Sequence, residues 1–560
     1  MDLKQEVYKV LEQVKDFGDI SNLVIESVDS SKGDFCLPCF TLAKTLHKSP
    51  MAIAEEISKA INIENSNVEK IETVAGYVNF FLNREKVAKN VLNNFDVNEV
   101  KKPQNNKVVC IDYCSVNLAK YMHIGHLKNC FLGESLARLF ELFGYKVIRI
   151  NYIGDYGTPY GKIIAGLKMW GTDEDVKERG IDALQEYYVK FCALEAEDEN
   201  LQQLARDISK KIEEKDAEIY PVYEKIVAIA RKEAERLLEI LDIHFDSWKG
   251  EASYATELDN VINMLESKGL LSVSEGATIV DLSKFDMPPC LVKRSDGGSL
   301  YTTRDIAAAI DRYNTYHFDK MLYLTAVEQK LHFAQFFKVL ELAGMSFSKN
   351  LEHISYGRFS LPNGKISSRR GKQAVLVDLI DYVLAKAKDV IANRTFNIEN
   401  PEDVAMKVAK GVLSFNALNI DRNKDAVFDI DRAFSFEGET APYMQYTYTR
   451  ILSILRKSQN LNLPSQEDYS CLNQEQAFEL IKMCCNLQTI LNLTIDKRDS
   501  SILLKYCMEM CKTLNKYYTV CKILDDNLPQ VTAKLKLLNL VKQVLEISFH
   551  CICLDTIQEM

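Results

Sequence analysis

Two histidines three residues apart, His123 and His126, close the polar part of the stretch IDYCSVNLAKYMHIGHLKNCFLG at 111–133. On a helical turn, residues three apart face the same way. A helix start leaves backbone N–H groups without intrahelical partners and carries the positive end of the dipole, so it attracts anions. Gly125, between the two histidines, has no side chain and allows close approach to the backbone. Imidazoles above such a terminus suit a phosphorus centre that gains negative charge in a transition state. Ser115, Asn117 and Lys120 stand just ahead of the pair. The plain alternative is two surface histidines on a helix. A second group lies in SDGGSLYTTRDIAAA (295–309), where Tyr301 and Asp305 share a face if a helix begins at Tyr301. Gln329 and His332 follow in EQKLHFAQFF. Asp305 is equally explained as a first-turn carboxylate favoured by the helix dipole. A third group is KISSRRGK (365–372), with four basic residues in eight. It reads as a solvated basic loop or as a patch for phosphates.

The elements that must carry these residues alternate. KVVCIDY (107–113) has the β-branched composition of a buried strand. Residues 127–143 carry apolar side chains at helical spacing and end at Gly144, a C-cap signal. KVIRIN (146–151) is a second strand running into the turn YIGDYGTP, and MLYLT (321–325) is another. Between them lies a helical insertion at about 160–240, rich in Glu, Lys and Ala, whose charges read as solvated faces. FDSWKGEASY (245–254) returns the chain to the sheet. The alternation predicts an α/β unit over 104–390, a doubly wound, Rossmann-like parallel sheet. Residues 1–100 predict a small α+β unit, with helices at roughly 1–16 and 51–62 and an alternating strand at 68–83 broken at Gly76. Tyr77 and Asn79 fall on one face of that strand. VNEVKKPQNNK (97–107) is a linker. From 391 to 560 the pattern predicts an all-α helical bundle, with helices over 400–423, 437–459, 474–493, 500–525 and 530–553.

The run S-x-N-x-A-K-x-M-H-x-G-H, from Ser115 to His126, resembles the nucleotide-binding signature of class I aminoacyl-tRNA synthetases, and specifically that of the arginyl-tRNA synthetases. The turn at 151–158 resembles the family's N-x-x-G-D-x-G-T, with Tyr156 and Pro159 where Trp and Gln are commoner. Tyr301–Asp305 and Gln329–His332 resemble its Y-x-T-R-D and Q-x-x-H elements. Residues 365–372 resemble the Lys-Met-Ser-Lys-Ser loop that closes over ATP, with Ser368 in place of the second lysine. Many arginyl enzymes share that loss and carry a lysine just before the histidine signature, here Lys120. The run EGETAPYMQY (437–446) resembles the opening of the arginyl anticodon-binding domain.

The resemblance implies arginine activation by ATP, with adenylate formation dependent on bound tRNA. It makes His123, His126, Lys120 and Lys365 the catalytic groups. Gly125, His332, Ser367, Ser368 and Arg369 would serve ATP, with Mg²⁺ carried on its phosphates. Arginine would fall to Asp305, Tyr301, Gln329 and Asn117, with Ser115 and Asn117 at its backbone end and Asp112 adding charge. A guanidinium presents five donors and a permanent charge, so a carboxylate is its natural partner. The 1–100 unit would hold the tRNA elbow through Tyr77 and Asn79, and Tyr443, Tyr446 and Tyr448 would stack anticodon bases or pack the bundle. Two rivals remain: another class I synthetase, or a non-catalytic tRNA-binding relative.

Composition is compatible with this. The 560 residues suffice for three or four domains, and the net charge of −10 argues against indiscriminate nucleic-acid binding but permits a local basic track. No run of about 18 uncharged apolar residues exists, so no membrane span is expected. Charges throughout the first eighteen residues exclude a signal peptide. Fifteen cysteines without one point to a reducing compartment, hence the cytoplasm. The isolated Cys36-Leu37-Pro38-Cys39 lacks a second pair at zinc spacing, so no protein-bound zinc is expected. A monomer is expected.

Overall fold

The computed structural model describes residues 3–18, 20–26, 32–293, 301–362, 375–392 and 398–559, with backbone only at Ser21, Glu26 and Tyr301. Among the described residues, a central sheet of four parallel strands runs in the order Leu351–Tyr356, Lys320–Ala326, Val108–Asp112, Lys146–Ile150. Val109 to Asp112 are all buried, as expected of a strand covered on both faces. From Val108–Asp112 the chain passes through the helix Gly125–Leu142 to its neighbour on one side. It later lays Lys320–Ala326 on the other side, pairing Tyr323 with Asp112. Strand order therefore reverses between these two strands. Open parallel sheets bind ligands beyond the carboxyl ends at such a reversal, which here means between Asp112 and Thr325.

The helix Gly125–Leu142 is buried almost without interruption from Leu127 to Phe140, because it is covered on both sides. One side lies on the sheet. The other meets the C-terminal region, where Ser135 Oγ sits 2.6 Å from the Cys551 carbonyl at the end of a helix and Lys128 Nζ donates at 2.7 Å to the Lys424 carbonyl in the loop after Pro401–Leu418. Buried Glu134 accepts from Tyr113, Arg138 and Arg149 at 2.8, 2.8 and 3.0 Å.

The insertion comprises the helices Thr158–Trp170, Asp173–Arg179, Ile181–Glu195, Glu199–Glu213 and Ile219–Ile240. The chain rejoins the sheet through a parallel bridge between Ile150 and Ser247. A three-stranded antiparallel sheet, Leu271–Ser274, Ala277–Val280 and Cys290–Lys293, was not foreseen. Its first strand is half-buried at Leu271 and exposed at the other three positions, so it carries no apolar alternation.

At the N-terminus, Val68–Val74 and Tyr77–Leu82 form a hairpin. The Gly76 break is its two-residue turn, Ala75-Gly76, with φ of 50° and 85° at the two positions. Phe35–Pro38 and Ile25–Glu26 complete that sheet. The C-terminal region contains Pro401–Leu418, Ala441–Ser458, Glu475–Lys497, Ser501–Val520 and Leu528–Cys551. Thr440 caps Ala441–Ser458 by accepting from the Tyr443 N–H at 3.2 Å, and Pro442 occupies the first turn. Gln445, fully buried, donates to the carbonyls of Lys407 and Asp555 at 3.1 Å each. Much of the 437–446 motif is therefore a helix start and a tie to the chain's last turn. No described helix is long and apolar enough to cross a membrane.

Candidate active site

Two adjoining cavities open at the strand-order reversal. The larger, about 700 Å³, is lined by Ser115, His123, Gly125, His126, Asn129, Thr325, Gln329 and Arg358 among others. The smaller, about 450 Å³, is lined by Asp112, Ser115, Asn117, Tyr152, Glu251, Asp305, Arg312, Tyr323, Thr325, Gln329 and His332 among others. Ser115, Thr325 and Gln329 belong to both, so they form the wall between two ligand-sized spaces.

His123 and His126 sit with ring centres 4.0 Å apart at the start of Gly125–Leu142. The Gly125 N–H donates to His123 Nδ1 at 3.1 Å, so a neutral His123 carries its proton on Nε2. Burial pushes both imidazoles down, His126 to about 3 with His123 alongside, and His123 further through the nearby Lys120 charge. Both environments therefore favour the neutral imidazole. A Cβ at Gly125 would stand 2.8 Å from His123 Cε1. The space left by the missing side chain is thus taken by the His123 ring.

The backbone ahead of the histidines is in the left-handed region at Cys114 and Ser115, with φ of 70° and 47°. The Cys114 N–H donates to Asn129 Oδ1 at 2.8 Å, and Asn129 Nδ2 donates to the Leu324 carbonyl at 2.9 Å. One buried amide thus ties the loop to the ends of two strands. Asn117 pairs with Gly154 in a parallel bridge, which fixes the far end of the loop on the 151–158 turn. The departure from Trp at Tyr156 leaves an aromatic ring there, and Arg304 packs over it at 4.9 Å.

In the smaller cavity the charges are partly matched. Asp112 pairs with Arg312 at 2.8 Å and accepts from Ser115 Oγ at 3.1 Å. Asp112 therefore does not bring the spare charge expected of it; its carboxylate is taken up within the protein. Glu251 pairs with Arg304 at 3.2 Å, and burial pushes its carboxyl up to about 7. Asp305 accepts from His332 Nε2 at 2.6 Å and has no arginine partner among the described residues. His332 was expected beside the nucleotide, but it lines the smaller cavity instead, on the helix Lys330–Leu342 next to Asp305.

Lys120 lies outside the walls of both cavities, close enough to His123 to lower its basicity, with its ammonium 5.9 Å from the Tyr188 ring centre. Lys365, Ser367, Ser368 and Arg369 lie outside the described residues, as does the Tyr301 side chain. The described residues flanking the basic segment are at the larger cavity: Leu361 lines it, and Val375 pairs with His123.

Residues 87–430 match the family model described as tRNA synthetases class I (R), catalytic domain. Residues 1–82 match the arginyl tRNA synthetase N terminal domain, and 444–560 the DALR anticodon binding domain. The arginine--tRNA ligase of Clostridium botulinum (strain Alaska E43 / Type E3) is 38% identical across 100% of both chains. That of Clostridium perfringens (strain 13 / Type A) is 37% identical over 98% of this chain and 99% of its own. The chain belongs to the arginyl-tRNA synthetase family. The Thermus thermophilus arginyl-tRNA synthetase structure shares the fold, with a TM-score of 0.83 at 22% identity and full coverage of both chains.

For an arginyl-tRNA synthetase, the surfaces suggested for tRNA differ residue by residue. Tyr77 is exposed and edge-on to Phe40 at 5.1 Å, whereas Asn79 is buried. Tyr446 is exposed, and half-buried Tyr443 accepts from Asn515 at 2.9 Å. Tyr448 is buried and donates to Glu546 at 2.6 Å, so it packs the bundle. Sequence reading missed Glu251, Arg312, Tyr152 and Asn129. Tyr152 alone carried a signal, since it follows directly on a strand's carboxyl end. Burial pushes the Cys39 thiol up to about 11, which makes it an inert core group.

Proposed function

We propose that this protein activates arginine with ATP and transfers it to the 3′-terminal adenosine of tRNA(Arg). One observation carries the reading: an imidazole-lined cavity at a helix start shares a wall with an acidic one, in which Asp305 is held by His332 and has no arginine partner among the described residues. The first suits a nucleotide's phosphates and the second a guanidinium. Arginine's carboxylate attacks the α-phosphorus, and pyrophosphate departs with the α–β bridging oxygen. A ribose hydroxyl then attacks the acyl carbon, and AMP leaves.

In this scheme His123 and His126 donate to the α-phosphate oxygens as charge builds there. Lys120 and Lys365 serve the departing phosphates, in company with the Mg²⁺ that arrives on ATP. Gly125, Ser367, Ser368 and Arg369 border the nucleotide. Asp305 holds the guanidinium, supported by Glu251, Tyr301 and Gln329, with His332 orienting Asp305. Ser115 and Asn117 take the amino-acid backbone. Residues 1–100 engage the tRNA elbow with Tyr77 outermost, 104–390 carry the chemistry, and 391–560 read the anticodon with Tyr443 and Tyr446. Cytoplasmic location and a monomeric state complete the proposal; the free thiols support the first, and light scattering tests the second.

The deciding experiment is aminoacylation of tRNA(Arg) with each amino acid, together with pyrophosphate exchange with and without tRNA. Charging with arginine alone is expected, with exchange requiring tRNA. Charging with a different amino acid would overturn the assignment.

A further inference from the structure

Lys120 is exposed, on a short turn, and would be poorly placed by its own segment. Its position is instead organised by the helical insertion. Asp182, Gln185 and Tyr188 stand three apart on the helix Ile181–Glu195 and so form one stripe. That stripe meets three consecutive residues of the signature. Gln185, buried, donates from Nε2 to the Ala119 carbonyl at 2.6 Å. Tyr121 donates to Asp182 at 2.5 Å. Between them the Lys120 ammonium lies 5.9 Å from the centre of the Tyr188 ring. From the other side, the Ala119 and Lys120 N–H groups donate to Asn117 Oδ1 and to its carbonyl at 2.9 and 3.1 Å. The void beneath the turn is only about 20 Å³, lined by Lys120, Tyr121 and Met122 with Ile181, Ala234 and Leu237 of the insertion.

We propose that the Asp182–Gln185–Tyr188 stripe is the positioning element for Lys120, which makes the helical insertion part of the phosphate site. The proposal rests on the reading that Lys120 serves the triphosphate. Gln185 fixes the backbone from which the side chain springs. Ala119 is fully buried, so without Gln185 its carbonyl loses its partner and the turn shifts. Tyr188 gives the ammonium an aromatic face at the outer limit of cation–π range. That hold orders the side chain yet leaves it free to move to phosphate oxygens. None of the three touches substrate; they act through Lys120.

The test is tRNA-dependent, arginine-dependent pyrophosphate exchange with the full-length protein. Gln185→Met keeps the volume and removes the donor. It should lower kcat about tenfold, as misplacement of a catalytic group does, with KM for arginine unchanged. Lys120→Ala should lower kcat by about 100-fold, and Gln185→Met added to it should lower kcat no further. Tyr188→Leu should raise KM for ATP, and Tyr188→Phe should restore it. Full additivity of Gln185→Met and Lys120→Ala overturns the proposal, because the glutamine then acts elsewhere. So does a wild-type kcat in Gln185→Met beside a slow Lys120→Ala. If Lys120→Ala itself runs at the wild-type rate, the underlying reading of Lys120 has failed. Should Gln185→Met not fold, the Tyr188 pair decides: wild-type kinetics in Tyr188→Leu refute the proposal.

Discussion

Asp305→Asn isolates the charge on which amino-acid selection is argued to depend. Asp305 is held 2.6 Å from His332 Nε2, and no arginine side chain pairs with it among the described residues. An incoming guanidinium at about 4 Å would gain roughly 4 kcal/mol of Coulomb energy at an effective dielectric of about 20, an upper bound before desolvation. Net contributions of hydrogen bonds to charged groups are about 1.5–3 kcal/mol, and each 1.4 kcal/mol is tenfold, so KM for arginine should rise about 10- to 150-fold. Asparagine keeps an acceptor for His332, so the neighbourhood stays ordered. The interaction is made in ground and transition states alike, so kcat should change little. The assay is pyrophosphate exchange at saturating ATP and tRNA, titrating arginine and, as a competitor, its uncharged urea analogue. The variant should lose its preference for the charged ligand. An unchanged KM for arginine, or undiminished discrimination against the neutral analogue, refutes the placement of the guanidinium at Asp305.

The remaining expectations use other parts of the same geometry. Glu251 is pushed up to about 7 by burial, so it is neutral below that pH and charged above it. A charged carboxylate favours guanidinium binding, so KM for arginine should fall as pH rises through 7, and Glu251→Gln should flatten that dependence. Gly125→Ala would place a Cβ 2.8 Å from His123 Cε1 and drive the ring out of line. Losing one donor costs about 10²–10³ in kcat, so pyrophosphate exchange should slow by that factor while the fold is kept. Thr440→Ala removes the cap on Ala441–Ser458 and should lower stability to denaturant by about 1 kcal/mol without changing pyrophosphate exchange.

The fold was legible where burial leaves a periodic trace. KVVCIDY and KVIRIN read as strands because both faces are covered, and the observed strands lie within them. The hairpin at Gly76 was visible only as a break, because the turn uses a positive φ at Ala75 as well, which alanine does not advertise. The mostly exposed strand Leu271–Ser274 and the half-buried Ala277–Val280 left no trace at all. In the candidate site, spacing and resemblance singled out His123, His126 and Asp305, and all three line the two cavities. Arg312 and Glu251 were not singled out, because their importance comes from which carboxylates and cations the fold brings beside them across long sequence distances. Asp112 shows the converse: its type and position were visible, but the partner that takes up its charge, 200 residues away, was not. The burial of Asn79 was hidden for a similar reason, since alternation assigns a face but not what covers it.

The distance between the two cavities follows from one rigid element. The helix Gly125–Leu142 begins at the imidazole pair, and one turn later presents Asn129 to the Cys114 N–H. That contact helps hold Cys114 and Ser115 in a left-handed conformation that costs about 1–3 kcal/mol per residue when unsupported. Ser115 is in the wall between the cavities, and its hydroxyl is fixed on Asp112, itself locked to Arg312. The imidazole pair and Ser115, proposed to face the phosphates and the amino-acid backbone, are thus set by the same helix, with few rotatable bonds between them. In-line attack by a carboxylate on phosphorus is sensitive to sub-ångström placement of both reactants. That helix is buried on both sides and is strapped to the C-terminal region through Lys128 and Ser135, so it has little room to yield. Strain in the Cys114–Ser115 turn is therefore borne by the surrounding packing, and under the proposed placement the two substrates meet at a separation that the core dictates.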